Sequence, residues 1–276
     1  MGRPVVIRRL AAVVMGMFVL VGFTECGPPP PGPARWRLEN TNATASRADV
    51  VFDFLDLGHK PLVGDWDGNG TDTPGGYASG QFFLRNANSA GGPNITVTFR
   101  SSNTTASAYD VPVVGDWNGD GRDTIGVWNR STGRWYLRDS NTAGAPNLSF
   151  VFDPAAGQPS RSPVVGDWNG DGRDTIGIHT PNRWQLRDAN SAGAPTSTFD
   201  YGGSSLTRAP VVGDWDGNGV DTVGVRDVNT KIWMLRNSNN GGLADLRFSF
   251  GAVGYTPITG DWDGNGSDSI GMFSAP

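Results

Sequence analysis

Short apolar runs alternate along the chain with turns rich in Gly, Asn and Pro. In residues 112–152, for example, PVVGDW, DTIGVW, RWYLRD and LSFVF follow one another with such turns between them. No long run has apolar residues at helical spacing. Because short apolar runs bounded by turn residues are typical of β-strands, the pattern predicts an all-β fold.

The same four runs recur five times along the chain. A GDW element contains Asp65, Asp116, Asp167, Asp214 and Asp261, at spacings of 51, 51, 47 and 47 residues. A W-x-L element or a close variant occurs at 35–40, 81–86, 134–139, 183–188 and 232–237. An apolar run occurs at 50–54, 95–99, 148–152, 197–201 and 246–250. Four strands in a unit of this length predict one propeller blade, which must stack on others to bury both faces.

The two ends of the chain complement each other. Residues 35–54 contain the third and fourth strands of a unit, and residues 257–273 contain the first and second. Joined, they complete a fifth blade, which predicts a five-bladed β-propeller with four-stranded blades, closed by the N-terminal strands. An open solenoid is the alternative, but it leaves both half-units with unpaired edges.

The N-terminal segment differs in composition from the repeats. Residues 1–26 combine three Arg with the apolar run 10–23, which is typical of a signal peptide and short for a membrane span. Residues 27–34 form a Pro-rich spacer, and residues 35–276 form the predicted propeller. An uncleaved membrane anchor and a lipidated Cys26 are the alternatives. Cys26 is the only cysteine, so no disulfide can stabilise the exported part.

Charge narrows the set of partners. The net charge is −5, and removal of residues 1–26 leaves about −7. Nucleic-acid binding requires a basic face, so it is not expected. We expect an exported monomer, secreted or at the cell surface, that binds an extracellular protein or a glycan.

The residues that follow each GDW element predict a metal loop. With the Asp of GDW as position 1, side-chain oxygens recur at positions 1, 3, 5 and 8, and Gly stands at position 6. Calcium requires hard oxygen ligands and a sharp turn of this kind. A metal-free Asx turn is the alternative. The candidate ligands for up to five Ca²⁺ are Asp65, Asp67, Asn69, Asp72; Asp116, Asn118, Asp120, Asp123; Asp167, Asn169, Asp171, Asp174; Asp214, Asp216, Asn218, Asp221; and Asp261, Asp263, Asn265, Asp268.

The sequence GDWNGDGRDTIG resembles the calcium loop of FG-GAP repeats, the blade unit of the integrin α-chain propeller, and the related VCBS repeats of bacterial exported proteins. The likeness extends over about 240 residues and recurs five times. It implies calcium binding and surface recognition by a bacterial exported protein. In those families the last carboxylate usually lies at position 9, or at both 8 and 9, whereas this chain has Thr or Ser at position 9. The Asp at position 8 therefore either replaces that carboxylate as a calcium ligand or contacts one of the calcium ligands without binding the ion itself.

Two further sets of side chains are candidates for ligand binding. Aromatic residues and Arg recur on the third strand, a combination suited to sugars, although packing between blades is the alternative. A second set lies five residues after position 8 and varies between units, which is expected either of a core position or of a ring that selects a ligand. The first set is Trp36, Arg85, Trp135, Arg138, Trp184, Arg187, Trp233 and Arg236; the second is Tyr77, Trp128, His179, Arg226 and Phe273.

Catalytic motifs are missing from the sequence. It contains no GxSxG, HExxH or P-loop pattern, and no acid–base pair is distinguished from the repeated scaffold. The sequence therefore predicts a non-catalytic, calcium-binding module for binding or adhesion. A multivalent lectin is the first alternative. A propeller glycosidase is the second, and it would require two opposed carboxylates.

Overall fold

The computed structural model describes residues 32–45, 47–100, 108–152 and 160–274. In these residues, twenty strands form five four-stranded antiparallel sheets. The five sheets are the blades of a five-bladed β-propeller, which confirms the fold predicted from the repeats. The predicted signal peptide and the lipidation hypothesis for Cys26 lie outside the described residues. No helix in the described residues is long and apolar enough to span a bilayer.

Each blade is an up-and-down sheet whose first strand lines the central channel. Blade 1 is β19 Thr256–Gly260, β20 Ser269–Ser274, β1 Pro33–Leu38 and β2 Val50–Asp56. Blade 2 is β3 Lys60–Gly64, β4 Thr73–Ala78, β5 Gln81–Leu84 and β6 Ile95–Thr98. Blade 3 is β7 Asp110–Gly115, β8 Thr124–Asn129, β9 Arg134–Leu137 and β10 Leu148–Val151.

The last two blades repeat this arrangement. Blade 4 is β11 Ser162–Gly166, β12 Thr175–Thr180, β13 Arg183–Leu186 and β14 Ser197–Asp200. Blade 5 is β15 Arg208–Gly213, β16 Thr222–Asp227, β17 Ile232–Leu235 and β18 Leu246–Ser249.

The ring closes where the two ends of the chain pair. β1 runs antiparallel to β20, with Trp36 opposite Phe273 and Leu38 opposite Gly271. Blade 1 is therefore assembled from both ends of the repeat region, as the two half-units predict. This pairing gives the edges of β1 and β20 a hydrogen-bonded partner.

The third strand supplies the most deeply buried aromatic residues. Trp135 of β9 is fully buried, and its indole Nε1 donates to the backbone carbonyl of Phe152, 2.9 Å away. Trp36, Trp184 and Trp233 are also fully buried and make the corresponding bond. A buried indole N–H needs an acceptor, and the end of the fourth strand supplies one in each of these blades. These Trp residues thus lie in the packing of the blades.

Candidate functional site

Each Asp loop folds around the carboxylate at position 1. Asp116 accepts three backbone N–H bonds: Oδ1 accepts those of Gly119 and Asp120 at 2.8 and 3.1 Å, and Oδ2 accepts that of Gly121 at 2.7 Å. The loop turns sharply there because Gly119 and Gly121 have φ of 74° and 80°. The other four loops have the same three bonds. The position-1 carboxylate is therefore the organising group of the turn.

The carboxylate at position 8 joins one blade to the preceding blade. Asp174 Oδ2 accepts the backbone N–H of Asp116 at 2.8 Å, and the N–H of Asp174 donates to the carbonyl of Asp116 at 2.9 Å. We call this two-bond link the clasp. It recurs at every blade junction and closes around the ring. The other four clasps join Asp123 to Asp65, Asp221 to Asp167, Asp268 to Asp214, and Asp72 to Asp261.

The clasp requires a glycine in each GDW element, because a side chain there would collide with the position-8 Asp. A Cβ on Gly115 would lie 2.8 Å from Cβ of Asp174 and 2.9 Å from its Oδ2. Thr124, at position 9, is buried and donates its Oγ1 hydroxyl to the carbonyl of Gly115 at 3.3 Å. Positions 1, 8 and 9 and the glycine before the loop are thus constrained together. These contacts account for the recurrence in all five units of Gly-Asp at the start of the loop, Asp at position 8 and Thr or Ser at position 9.

We expect Gly115→Ala to destabilise the protein by about 1–3 kcal/mol, because overpacking of this size forces neighbouring atoms to move. The close contact is with a Cβ atom beside the backbone of the next blade, which cannot rotate away. Gly92→Ala is the matched control, since nothing lies within 4 Å of a Cβ there. Chemical denaturation measures both variants. Equal stability of the two variants would contradict the clasp as a close contact.

The five position-8 carboxylates meet in the central channel, a cavity of about 370 Å³ that is otherwise lined mainly by Pro, Val, Leu and Ile of the first strands. Burial, with repulsion from neighbouring carboxylates, raises the pKa of Asp72 to about 7 and that of Asp174 to about 6. The same causes raise the pKa of Asp123, Asp221 and Asp268 well above the ordinary value. The channel thus collects carboxyl groups that resist ionisation.

The loops retain oxygen atoms that suit a hard cation. An ionised carboxylate accepts about four hydrogen bonds, so Asp116, with three, keeps about one lone pair for a metal ion. Positions 3 and 5 of the second loop, Asn118 and Asp120, are exposed. Among the described residues, no three carboxylate, imidazole or thiolate groups are arranged as a metal site. The side-chain oxygens that remain as possible cation ligands are those of positions 1, 3 and 5, because the position-8 carboxylate is held in the clasp.

The Arg residues of the third strand shape their own connections. Arg138 donates to the backbone carbonyls of Thr142, Ala143 and Ala145 at 2.5 to 3.0 Å. Arg85, Arg187 and Arg236 make the corresponding bonds in blades 2, 4 and 5. Together with the buried Trp residues, these bonds favour the packing interpretation over a sugar site on the third strand, because a ligand in solution cannot stack on a fully buried ring.

A second repeated side chain of this connection supports the Asp loop. Asn141 Nδ2 donates to the backbone carbonyl of Asp123 at 2.8 Å. Equivalent bonds from Asn42, Asn88, Asn190 and Asn239 reach the position-8 carbonyl of their own blades. The repeated Leu-Arg-Asp/Asn-x-Asn sequence therefore has a structural role: its Arg bonds to its own connection, and its last Asn bonds to the backbone of the position-8 Asp.

The variable set five residues after position 8 is almost wholly buried. Relative exposure is 0% for Trp128 and Arg226, 5% for Tyr77 and Phe273, and 6% for His179. Arg226 donates to the backbone carbonyls of Tyr255 and Ala252 at 3.1 and 2.7 Å. These residues therefore do not form an open ring on the surface.

Three members of the variable set nevertheless form the floors of clefts between blades. Each cleft lies at the end of the blades opposite the Asp loops, where a fourth strand connects to the next first strand. The blade-1 cleft contains Phe273, the blade-2 cleft contains Tyr77 and the blade-4 cleft contains His179. Their volumes are about 660, 350 and 350 Å³, respectively. These clefts can admit a small ligand.

In blades 2 to 5, a residue at or immediately before the start of the first strand lines one of these clefts, and none of these residues is among those predicted from the sequence. Two residues before the Pro of that strand, the side chains of the five blades are of four kinds. They are Tyr255, His59, Asp110, Arg161 and Arg208 in blades 1 to 5. Variation at a fixed place in an otherwise constant repeat is the signal that could have identified them.

Fold and site together define a five-bladed β-propeller with clasped Asp loops at one end and clefts at the other. No family model and no curated protein matches the chain. Among solved structures, it is similar to an Agrocybe aegerita lectin that recognises non-reducing terminal N-acetylglucosamine. The TM-score is 0.42 at 14% identity, covering 87% of this chain and 84% of the lectin.

A second solved structure is that of BBS1N in complex with ARL6DN. Its TM-score is 0.41 at 10% identity, covering 84% of this chain and 83% of that chain. Neither structure is similar enough to indicate a ligand for this chain, whose fold is defined by its own strand pairing.

Proposed function

We propose that this chain is an exported, non-catalytic binding module that holds its ligands in the clefts between blades. One observation carries the proposal: the blade-1, blade-2 and blade-4 clefts occupy corresponding places on a constant scaffold but have different linings. Repeated scaffolds with variable clefts suit recognition. The carboxylates of the channel are repeated and each accepts a backbone N–H bond, so none is set apart as a catalytic acid or base.

Calcium is the second part of the proposal. In the second loop, Asp116, Asn118 and Asp120 would hold the ion, and the same positions would do so in the other loops. Bound calcium would supply positive charge at a loop rich in carboxylates and would favour the folded chain over the unfolded chain. In a protein without disulfides, this contribution would replace covalent cross-links. The resemblance of the loops to FG-GAP and VCBS repeats supports this assignment.

Binding can be tested with the labelled full chain on arrays of glycans and extracellular proteins, in calcium. A lectin is expected to bind glycans in calorimetry with up to one event for each cleft, at affinities that differ because the linings differ, whereas a protein-adhesion module shows one event and no response to sugars. Two exposed leucines provide a matched pair: Leu206 lines the blade-4 cleft, and Leu243 lies in the β17–β18 connection at the end of the blades that bears the Asp loops.

If the clefts bind the ligand, Leu206→Glu is expected to remove the binding event of blade 4, and Leu243→Glu to leave all events intact. Loss of binding in Leu243→Glu alone would indicate that the ligand binds at the end of the blades that bears the Asp loops. Turnover of a bound glycan, detected by chromatography of the products, would contradict the non-catalytic assignment.

A further inference from the structure

The blade-4 cleft differs from the other two in charge. Arg130, Arg161 and Arg208 line it, and no acidic side chain of a described residue does so. The blade-2 cleft instead has Lys60 together with Asp110, and the blade-1 cleft has Lys60 and His59 but no arginine among its described lining residues. The whole chain has a net charge of −5, so three arginines around one cavity are a local reversal of its overall charge.

One of these arginines is held in place by the fold, and a second lies against the backbone of a neighbouring turn. The Arg161 guanidinium lies 5.6 Å from the centre of the Trp128 ring, and its Nη2 donates to the backbone carbonyl of Arg130 at 2.9 Å. Arg208 lies close to the backbone of Gly203, where a Cβ would come within about 2.3 Å of Nη1. Its Nε is 3.9 Å from Asp227 Oδ2, a loose pair. A side chain that is already held in place before the ligand binds loses less conformational entropy on binding.

The remaining lining combines hydroxyl groups with apolar surface. Ser160, Ser162 and Ser205 bring three hydroxyls, which can donate or accept hydrogen bonds. Pro181 and Leu206 provide apolar surface, and Leu206 is 77% exposed. The volume of about 350 Å³ is at the lower end for small-molecule sites, which suits one or two sugar rings.

We propose that the blade-4 cleft binds a sugar bearing a carboxylate, a uronic acid residue of an acidic glycan. This rests on the proposed function and names the ligand class of one cleft. Guanidinium groups bind a carboxylate through parallel hydrogen bonds, the serines suit sugar hydroxyls, and Leu206 with Pro181 suits the C–H face of the ring.

The imidazole at the floor of the cleft agrees with this chemistry. Burial lowers the pKa of His179 to about 4, so the ring is neutral at neutral pH and adds no charge to the site. It lies against Trp184 at 4.5 Å between ring centres.

Calorimetry of the full chain with a uronic-acid disaccharide tests the inference, with a neutral disaccharide and inorganic sulfate as comparison ligands at equal ionic strength. Arg130→Gln is the main variant, because Arg130 is exposed and its side chain can change without disturbing the core. We expect at least about tenfold weaker binding, the usual effect of losing a hydrogen bond to a charged group. Added salt is expected to weaken the affinity of the native chain.

Two variants with the same charge change serve as controls. Lys60→Gln alters the blade-1 and blade-2 clefts, and Arg247→Gln alters an exposed residue of β18. Both are expected to bind the uronic-acid disaccharide as the native chain does. Melting curves of all three variants show whether any loss of binding arises from unfolding.

Three outcomes would overturn the inference: no uronate binding, equal loss in Lys60→Gln, or sulfate competing as well as the disaccharide. Binding of a neutral glycan or a protein in another cleft, without uronate binding, would overturn this inference while leaving the binding-module proposal intact. Absence of every ligand from the arrays would count against the broader proposal.

Discussion

Removal of calcium with EGTA is expected to lower the Tm of the full chain by roughly 15–25 °C. Extracellular calcium modules bind with Kd of about 0.1–1 mM, and at about 1 mM calcium a site with Kd near 0.1 mM adds about 1.4 kcal/mol. Five independent sites would add roughly 7 kcal/mol, and each kcal/mol is worth about 2–4 °C for a chain of this size. Differential scanning fluorimetry with and without EGTA measures the shift.

A matched pair of variants separates the loops from general charge effects. Asp120→Asn weakens position 5 of one loop, whereas Asp200→Asn removes the same charge from β14, outside the loops. Asp120→Asn leaves Asp116 as the single carboxylate among positions 1, 3 and 5 of its loop, whereas each other loop has two, so we expect it to reduce the calcium-dependent shift by up to about one fifth, and Asp200→Asn to leave it unchanged. A Tm that does not change on chelation would contradict calcium binding by these loops.

The stability of the calcium-free chain is expected to fall as the pH rises from about 4 to 8. The channel carboxyls have folded-state pKa values of about 7 for Asp72 and about 6 for Asp174, above the ordinary value of 3.8. The folded chain therefore binds more protons than the unfolded chain. The stabilisation is complete below the unfolded pKa and is lost as the pH passes through the folded pKa. Melting curves in EGTA across this pH range measure the loss.

Asp123→Asn is expected to flatten this pH profile. Burial raises the pKa of Asp123, as does repulsion from Asp174, Asp72 and Asp116, while the backbone N–H of Asp65 lowers it. An Asn at 123 keeps an oxygen to accept that N–H but has no charge to bury. We expect Asp123→Asn to be about 1–2 kcal/mol more stable than the native chain at pH 8, with little gain near pH 4, where the unfolded carboxyl also binds its proton.

Asp200→Asn again serves as the control, because it lies on an outer strand away from the channel. Its pH profile is expected to follow that of the native chain. Two results would mean that ionisation of the channel carboxyls does not destabilise the fold. One is a native chain whose stability rises towards pH 8, and the other is an Asp123→Asn chain that is least stable at pH 8.

The blade count could be predicted because the chain repeats its turn chemistry. The five GDW elements predict five blades. The half-units at the two ends of the repeat region predict that the ring is closed by pairing of β1 with β20. The role of Asp174 could not be predicted. Its sequence position is compatible with its own loop, and only the stacking of the blades shows that it bonds to Asp116 of the preceding blade.

The candidate ligand residues show the same limit. Trp135 and Arg138 have the composition of a sugar site, but composition does not reveal that one ring is fully buried and that the other side chain bonds to its own connection. His179 was noted for its variability, and it does line a cleft. The walls of that cleft come from blades 3, 4 and 5, whose residues are brought together only when consecutive blades stack.

The most direct test of the account is a crystal structure grown in calcium, with anomalous diffraction used to locate the ions. The account predicts a calcium ion at each Asp loop, held by positions 1, 3 and 5, with the position-8 carboxylates still in their clasps. Loops without calcium, or calcium only among the carboxylates of the central channel, would contradict it.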